Sequence, residues 1–212
     1  MMETSRDYAD KDEKRAETRP FNTKMPKPAP YLRSTMHLYL SERGLCVRTA
    51  LENKWYPSDE AGDTLPRIVI PATSGIPGNV YWQARAMVAT EKRYQSPCAP
   101  RGDAIIVVWG HPPCHEEIVL VEGPMDALAA AEFGYTSVAL MGGTPPEAIA
   151  LISRMHTLSH SFVVVPDRDD MALMLNAAVA MLDLGHRVRV VDPYPAKDLA
   201  ALSRSERLGR LA

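Results

Sequence analysis

Three apolar runs in the C-terminal half of the chain end in residues that could do chemistry. Ile118-Val119-Leu120-Val121 stops at Glu122 and Gly123, Phe162-Val163-Val164-Val165 runs into Pro166-Asp167-Arg168-Asp169-Asp170, and Arg187 to Val191 runs into Asp192, with Lys197-Asp198 shortly after. The runs read as buried strands, so each acid sits at or just past a strand's C-terminal end. Parallel strands would bring these acids to one edge, and open α/β sheets bind ligands at that edge. Two carboxylates one residue apart, Asp167 and Asp169, can hold one hard cation or bridge two. Mg²⁺ is commonly held by one or two carboxylates plus substrate phosphates. Such a cation stabilises an in-line phosphoryl displacement. Glu122, on the neighbouring loop, could be a further ligand or a general base.

Each acid also has a structural role open to it. Asp126 lies in a first helical turn, where the helix dipole favours an acid. Asp170 suits the N-cap of the helix that follows, and Asp192 before Pro193 suits a turn. Glu122, Asp167 and Asp169 could be solvated loop acids, but on parallel strands they would repel one another without a cation. Gly142 and Gly143 could let backbone approach a phosphate, or only permit a turn.

The elements that must position these residues alternate from residue 117 onward. Strands are expected near 117–122, 137–140, 161–166 and 187–192, and helices near 124–133, 145–158 and 171–184. Thr144-Pro145-Pro146-Glu147 has capping-box spacing with Pro at the first helical position. Gly134 and Gly185 stand where a C-terminal helix glycine is expected. Fully apolar strands alternating with helices imply an α/β domain over 116–212, a four-stranded parallel sheet covered on both faces.

Residues 31–115 read as a smaller α+β unit. Two short helices fall within 34–53, the first capped by Ser34 or Thr35. Arg67 to Pro71 and Val80 to Met87 form a hairpin across a turn at 74–79. On the second strand Tyr81, Gln83 and Arg85 share one face, and Trp82, Ala84 and Ala86 the other. Arg85, Lys92, Arg93 and Tyr94 form a basic cluster with one aromatic, able to track a phosphate backbone and stack a base, or to be a solvated edge. Ala104 to Trp109 is a further apolar run. Residues 1–30 lack apolar periodicity and read as a disordered tail and linker; six acids among seven basic residues argue against a DNA-binding arm.

Net charge is −2, so nothing global announces nucleic acid or membrane, but the charge is uneven: 13 acids against 8 Lys+Arg in 116–212, and 7 against 9 in 31–115. Divalent cations would relieve the acidic half. Cys46, Cys98 and Cys114 are too few for a disulfide framework. His111, Cys114 and His115 have only Cys98 nearby to add, so no zinc is expected. No apolar run approaches a membrane span and no signal-peptide segment is present; a cytoplasmic protein without membrane contact is expected.

Glu122-Gly-x-x-Asp126, Leu140-Met-Gly142-Gly143, Asp167-x-Asp169 and Lys197-Asp198-Leu199, each after an apolar strand, resemble the four motifs of the TOPRIM domain over about residues 116–202. That domain is shared by bacterial and phage DNA primases, topoisomerases and some small nucleases. The resemblance implies Glu122 as acid or base, with Asp126 in the same motif, and Asp167, Asp169 and Asp198 as positions for Mg²⁺ or Mn²⁺. It also places Lys197 near a phosphate. Arg67 to Pro71, Val80 to Ala86 and Arg93-Tyr94-Gln95-Ser96-Pro97 are similar to the N-terminal part of the primase catalytic core. There Arg85 and Arg93 would face template and nucleotides, with Arg93 where primases usually carry lysine; Arg67, Lys92 and Tyr94 are further candidates for contact with nucleic acid or nucleotide. The sequence departs from the family in showing no zinc-binding module, no helicase domain after residue 212 and no closing helical segment. Ala172 stands where a glycine often follows the Asp-x-Asp pair. The resemblance thus implies a stripped primase core acting on single-stranded DNA and nucleoside triphosphates, with a helicase or other replication protein as expected partner. The same acids would serve a TOPRIM nuclease, and a non-catalytic DNA-binding accessory protein is the third reading.

Overall fold

The computed structural model describes residues 24–76, 78–143, 146–155 and 161–212. Residues 1–23 of the expected tail, Pro77 of the hairpin turn, Thr144 and Pro145 of the expected capping box, and 156–158 of the expected helix end lie outside the described residues.

Two helices open the described chain, α1 (Arg33–Glu42) and α2 (Val47–Glu52). The first begins two residues before the earlier of the expected caps allows, with Leu32 as N-cap, so neither Ser34 nor Thr35 caps it. Four strands follow as an antiparallel sheet in sequence order: β1 (Tyr56–Ser58), β2 (Arg67–Pro71), β3 (Trp82–Ala86) and β4 (Tyr94–Gln95). Ile68 opposes Arg85 and Ile70 opposes Gln83, whereas Arg67 opposes Ala86. Because side chains alternate along a strand, Ile68, Ile70, Gln83 and Arg85 share one face and Arg67, Val69, Ala84 and Ala86 the other.

The second sheet has five strands rather than four and is mixed rather than parallel. Its order is β5 (Ile106–Val108), β7 (Thr136–Ala139), β6 (Ile118–Val121), β8 (Ser161–Val165), β9 (Arg187–Val190). The four expected strands, β6 to β9, pair in parallel, and β5 adds an antiparallel edge beside β7. Periodicity marked 104–109 as an apolar run but carries no information about its partner.

Helices α3 (Pro124–Ala131), α4 (Pro146–Arg154) and α5 (Met171–Asp183) alternate with these strands. Val119, Val121, Val163 and Val165 pack on α3, and Ile118, Leu120, Phe162 and Val164 pack with residues of α4 and α5. Both faces of the sheet are therefore covered. The first of these two cores is shared across the chain. It also contains Met36 and Leu40 of α1, Trp55 just before β1, Ile68 and Ile70 of β2, and Leu211 of the last helix, α6 (Arg204–Leu211). Gly134 and Gly185 end α3 and α5 with φ of 85° each. That left-handed conformation costs glycine nothing. No helix among the described residues is long and apolar enough to cross a membrane.

Candidate active-site cleft

Glu122 follows β6 directly and Asp167 lies two residues past β8. Val121 and Val165 are register partners in the parallel pair, so both acids leave the sheet at the same rim. β6 lies between β7 and β8, which makes this rim the point where successive crossovers diverge. The loops there are tied to one another. Met141 N–H donates to the Glu122 carbonyl at 2.9 Å, and Arg168 N–H donates to the Lys197 carbonyl at 2.9 Å.

A cleft of about 990 Å³ opens between this rim and the first sheet. Its acidic wall carries Glu122, Asp126, Asp167 and Asp198, with Lys197 and Gly142 beside them. Its opposite wall carries Arg85, Arg93 and Tyr94, together with Tyr39 and Glu42 of α1 and Arg43 at that helix's C-cap.

The acids are far from independent. Asp126 is 6% exposed. Burial, with Asp198 and Asp167 nearby, pushes its carboxyl up to about 8, although its Oδ1 accepts from Ala200 N–H at 2.8 Å. Burial and the charges of Glu122 and Asp198 push Asp167 up to about 6. Burial and Asp170 also raise Glu122, against the pull of Lys197. Asp198 caps the short 3₁₀ turn Leu199–Ala201, accepting from Ala201 N–H at 2.8 Å.

Four carboxylates on one wall form an oxygen-only, mutually repelling donor set, and that chemistry fits a hard divalent cation. Among the described residues, however, no three possible ligands stand grouped as a ready-made metal site. The acids are spread along the wall, and binding would have to draw them together.

Several expected residues are placed differently. Asp169 does not line the cleft; its carboxylate is 68% exposed and ion-paired with Lys197. Arg67 is fully buried, and all its nitrogens are engaged. Nε and Nη2 hold Asp63 at 2.8 and 2.7 Å, and the remaining bonds go to the carbonyls of Ala84, Lys92 and Arg93. It pins the sheet and has no donor left for a nucleic acid. The cause is strand parity: Arg67 points to the face opposite Arg85. Lys92 is exposed outside the cleft wall, its carbonyl taken by Arg67. Gly143 also lies off the wall, its carbonyl accepting from Arg101 Nη2 at 3.2 Å. Asp170 occupies the N-cap of α5 but makes no side-chain cap bond, and Asp192 forms the expected turn, accepting from Tyr194 N–H at 2.9 Å.

Other cleft residues escaped the sequence reading. Tyr39 on α1 and Arg43 at its C-cap stand four apart and stack, with the guanidinium 4.8 Å from the ring centroid. The i,i+4 spacing of an aromatic and a cation was the available signal. Arg85 joins this group by donating from Nε to Tyr39 Oη at 2.8 Å, and its guanidinium lies 4.9 Å from the Tyr94 ring centroid. Met141 lines the cleft with φ of 55°, followed by Gly142 at 75°. A left-handed non-glycine residue is costly and tends to mark functional loops.

No family model matches the chain, and no curated protein matches it. Solved structures do. The DnaG primase catalytic domain bound to single-stranded DNA aligns with a TM-score of 0.57 and 16% identity, over 91% of this chain and 73% of that one. The Aquifex aeolicus primase, comprising zinc-binding and RNA polymerase domains, aligns at 0.57 and 18%, over 82% of this chain and 52% of that one. A third match, at 0.52 and 18%, comes from bacteriophage T7 and covers 75% of this chain and 80% of that one. It is a lagging-strand DNA polymerase complex with primase domains of two gp4 subunits on an RNA/DNA hybrid and dTTP. The chain thus has the mixed α/β fold of primase catalytic cores.

Proposed function

We propose that this chain is a primase-like, metal-dependent nucleotidyltransferase that joins nucleoside triphosphates into short primers on single-stranded DNA. The observation that carries this reading is the division of one cleft into an acidic wall and a basic wall. A triphosphate and a polynucleotide both present phosphates, which the basic wall would neutralise. Mg²⁺ or Mn²⁺ held by Glu122, Asp167 and Asp198 would offset the charge that develops during phosphoryl transfer. Asp169 would join them only by releasing Lys197, whose ammonium would then be free for a phosphate.

Glu122 is the candidate base. Its carboxyl is raised by burial and by Asp170, which brings it nearer the range where a carboxylate can take a proton from an attacking hydroxyl. Arg85 and Arg93 would track the template, and the backbone at Gly142 would approach a phosphate. The similar DnaG domain was solved with single-stranded DNA and the T7 primase domains with a hybrid and dTTP; all three carry phosphates of the kind the basic wall would meet. A replication protein is the proposed partner.

The test incubates the purified protein with single-stranded DNA, labelled nucleotides and Mg²⁺ or Mn²⁺, and resolves the products on a gel. New short oligonucleotides are expected. Shortened template would replace this reading with a nuclease. No change in either, with candidate partners added, would leave a DNA-binding accessory role.

A further inference from the structure

One buried arginine on the last helix reaches both walls of the cleft. Arg207 of α6 is 2% exposed. Its Nη1 donates to the Gly44 carbonyl at 3.0 Å, and its Nη2 to the carbonyls of Arg43 at 3.2 Å and Ala200 at 2.7 Å. Glu132, its side chain 4% exposed, lies 3.6 Å away and accepts from Cys46 N–H. Each of these segments carries cleft chemistry. Ala200 N–H holds Asp126 Oδ1. Arg43 lies over Tyr39, whose hydroxyl holds Arg85. From one guanidinium, the acidic wall is reached through Ala200 and the basic wall through Arg43.

We propose that Arg207 is a positioning residue that sets the separation of the two walls, an inference that rests on the cleft being the substrate site. Burying a guanidinium is costly, and replacing the buried Arg207–Glu132 pair as a whole by apolar side chains of similar volume would often serve stability as well or better. Arg207 Nε has no partner among the described residues, and burial lowers the guanidinium's pKa while Glu132, Asp126 and Asp198 oppose that. What the arginine supplies is a planar fork that grips carbonyls from two segments at once. A lysine offers a single point charge and cannot span them.

The test compares wild type with Arg207→Lys and Arg207→Met in three measurements: thermal unfolding, amide exchange, and binding of Mn²⁺ alone and of a single-stranded oligonucleotide alone. Arg207→Lys keeps the charge and is expected to fold. Both variants should speed exchange at Ala200 and at Leu45, which follows the gripped Gly44 carbonyl and whose N–H donates to the Leu40 carbonyl at 2.9 Å, while amides of β6 and β8 stay protected. Mn²⁺ and oligonucleotide affinity should fall together by about tenfold, the usual scale for losing an outer support of a metal site. A folded variant with wild-type exchange at Ala200 and Leu45, or with both affinities intact, overturns the proposal. If wild type binds neither probe, the reading of the cleft fails, and the exchange arm still decides whether Arg207 couples the walls. If neither variant folds, wild-type exchange in mild denaturant decides. Ala200 and Leu45 should then open in one step with α6, and separate openings overturn the link.

Discussion

At the scale of single residues, the acids of the cleft are held against their own ionisation, and the sign of that effect is testable. Asp126 is raised to about 8 and Asp167 to about 6 by burial and mutual repulsion. A carboxyl raised above its unfolded value stabilises the fold fully below about pH 4, and that stability is lost as pH climbs through the folded value. Asparagine mimics the protonated acid and keeps an acceptor for Ala200 N–H. In metal-free protein, Asp126→Asn should therefore gain on wild type as pH rises from 4 to 8, by about 2–4 °C in midpoint for each kcal/mol. Melting curves whose separation does not change with pH would remove the repulsion argument. Asp167→Asn should abolish metal-dependent turnover without unfolding the protein, and in metal-free protein it too should gain on wild type as pH rises from 4 through about 6; wild-type turnover in that variant would strip Asp167 of its role. Glu122 and Asp167 were legible in sequence because strand ends are legible. The pairing of Asp169 with Lys197 was not, because residue spacing says nothing about which way a loop side chain turns.

At the scale of elements, alternation along a strand decides which arginine meets a ligand. Arg85 shares its face with Gln83 on the cleft side, and Arg67 lies one parity step away among buried carbonyls. Arg85→Ala should weaken oligonucleotide binding and lower the salt slope by about 0.7 for one lost phosphate contact on a single strand. Arg67→Met should instead lower the melting midpoint, since it strips Asp63 and three carbonyls of their donors. An unchanged salt slope in Arg85→Ala would move the nucleic-acid path elsewhere. The alternation on β3 was readable because its buried positions are Trp82, Ala84 and Ala86. Helix α6 was readable too, and was missed. Ser203-Arg204-Ser205-Glu206 is a capping box, formed here in both directions. Ser203→Ala should cost about 1 kcal/mol, and because α6 carries Arg207 the loss should appear as early exchange at Ala200. β1 and β4, three and two residues long, gave no such signal, since pairing and not propensity makes strands that short.

At the scale of the whole molecule, the two sheets are joined through a common core that runs from Met36 of α1 to Leu211 of α6. That arrangement places a basic sheet face opposite an acidic sheet rim, and neither half holds both. The strand-helix rhythm announced the second half and its rim. It could not announce the walls' opposition, which depends on contacts between residues more than a hundred positions apart, such as Arg207 with Arg43 and Gly44.

The antiparallel edge strand β5 bears on how the molecule can be cut. Ile106 and Val108 are buried in the shared core, and their backbone closes the side of β7. A recombinant fragment begun at Glu116 would lack that cover and present the bare edge of an otherwise buried strand, the usual template for intermolecular stacking. Such a fragment should be recovered mainly from inclusion bodies. One begun near Asp103 should keep more of its yield in the supernatant, and equal yields of soluble material would show that β7 tolerates the loss.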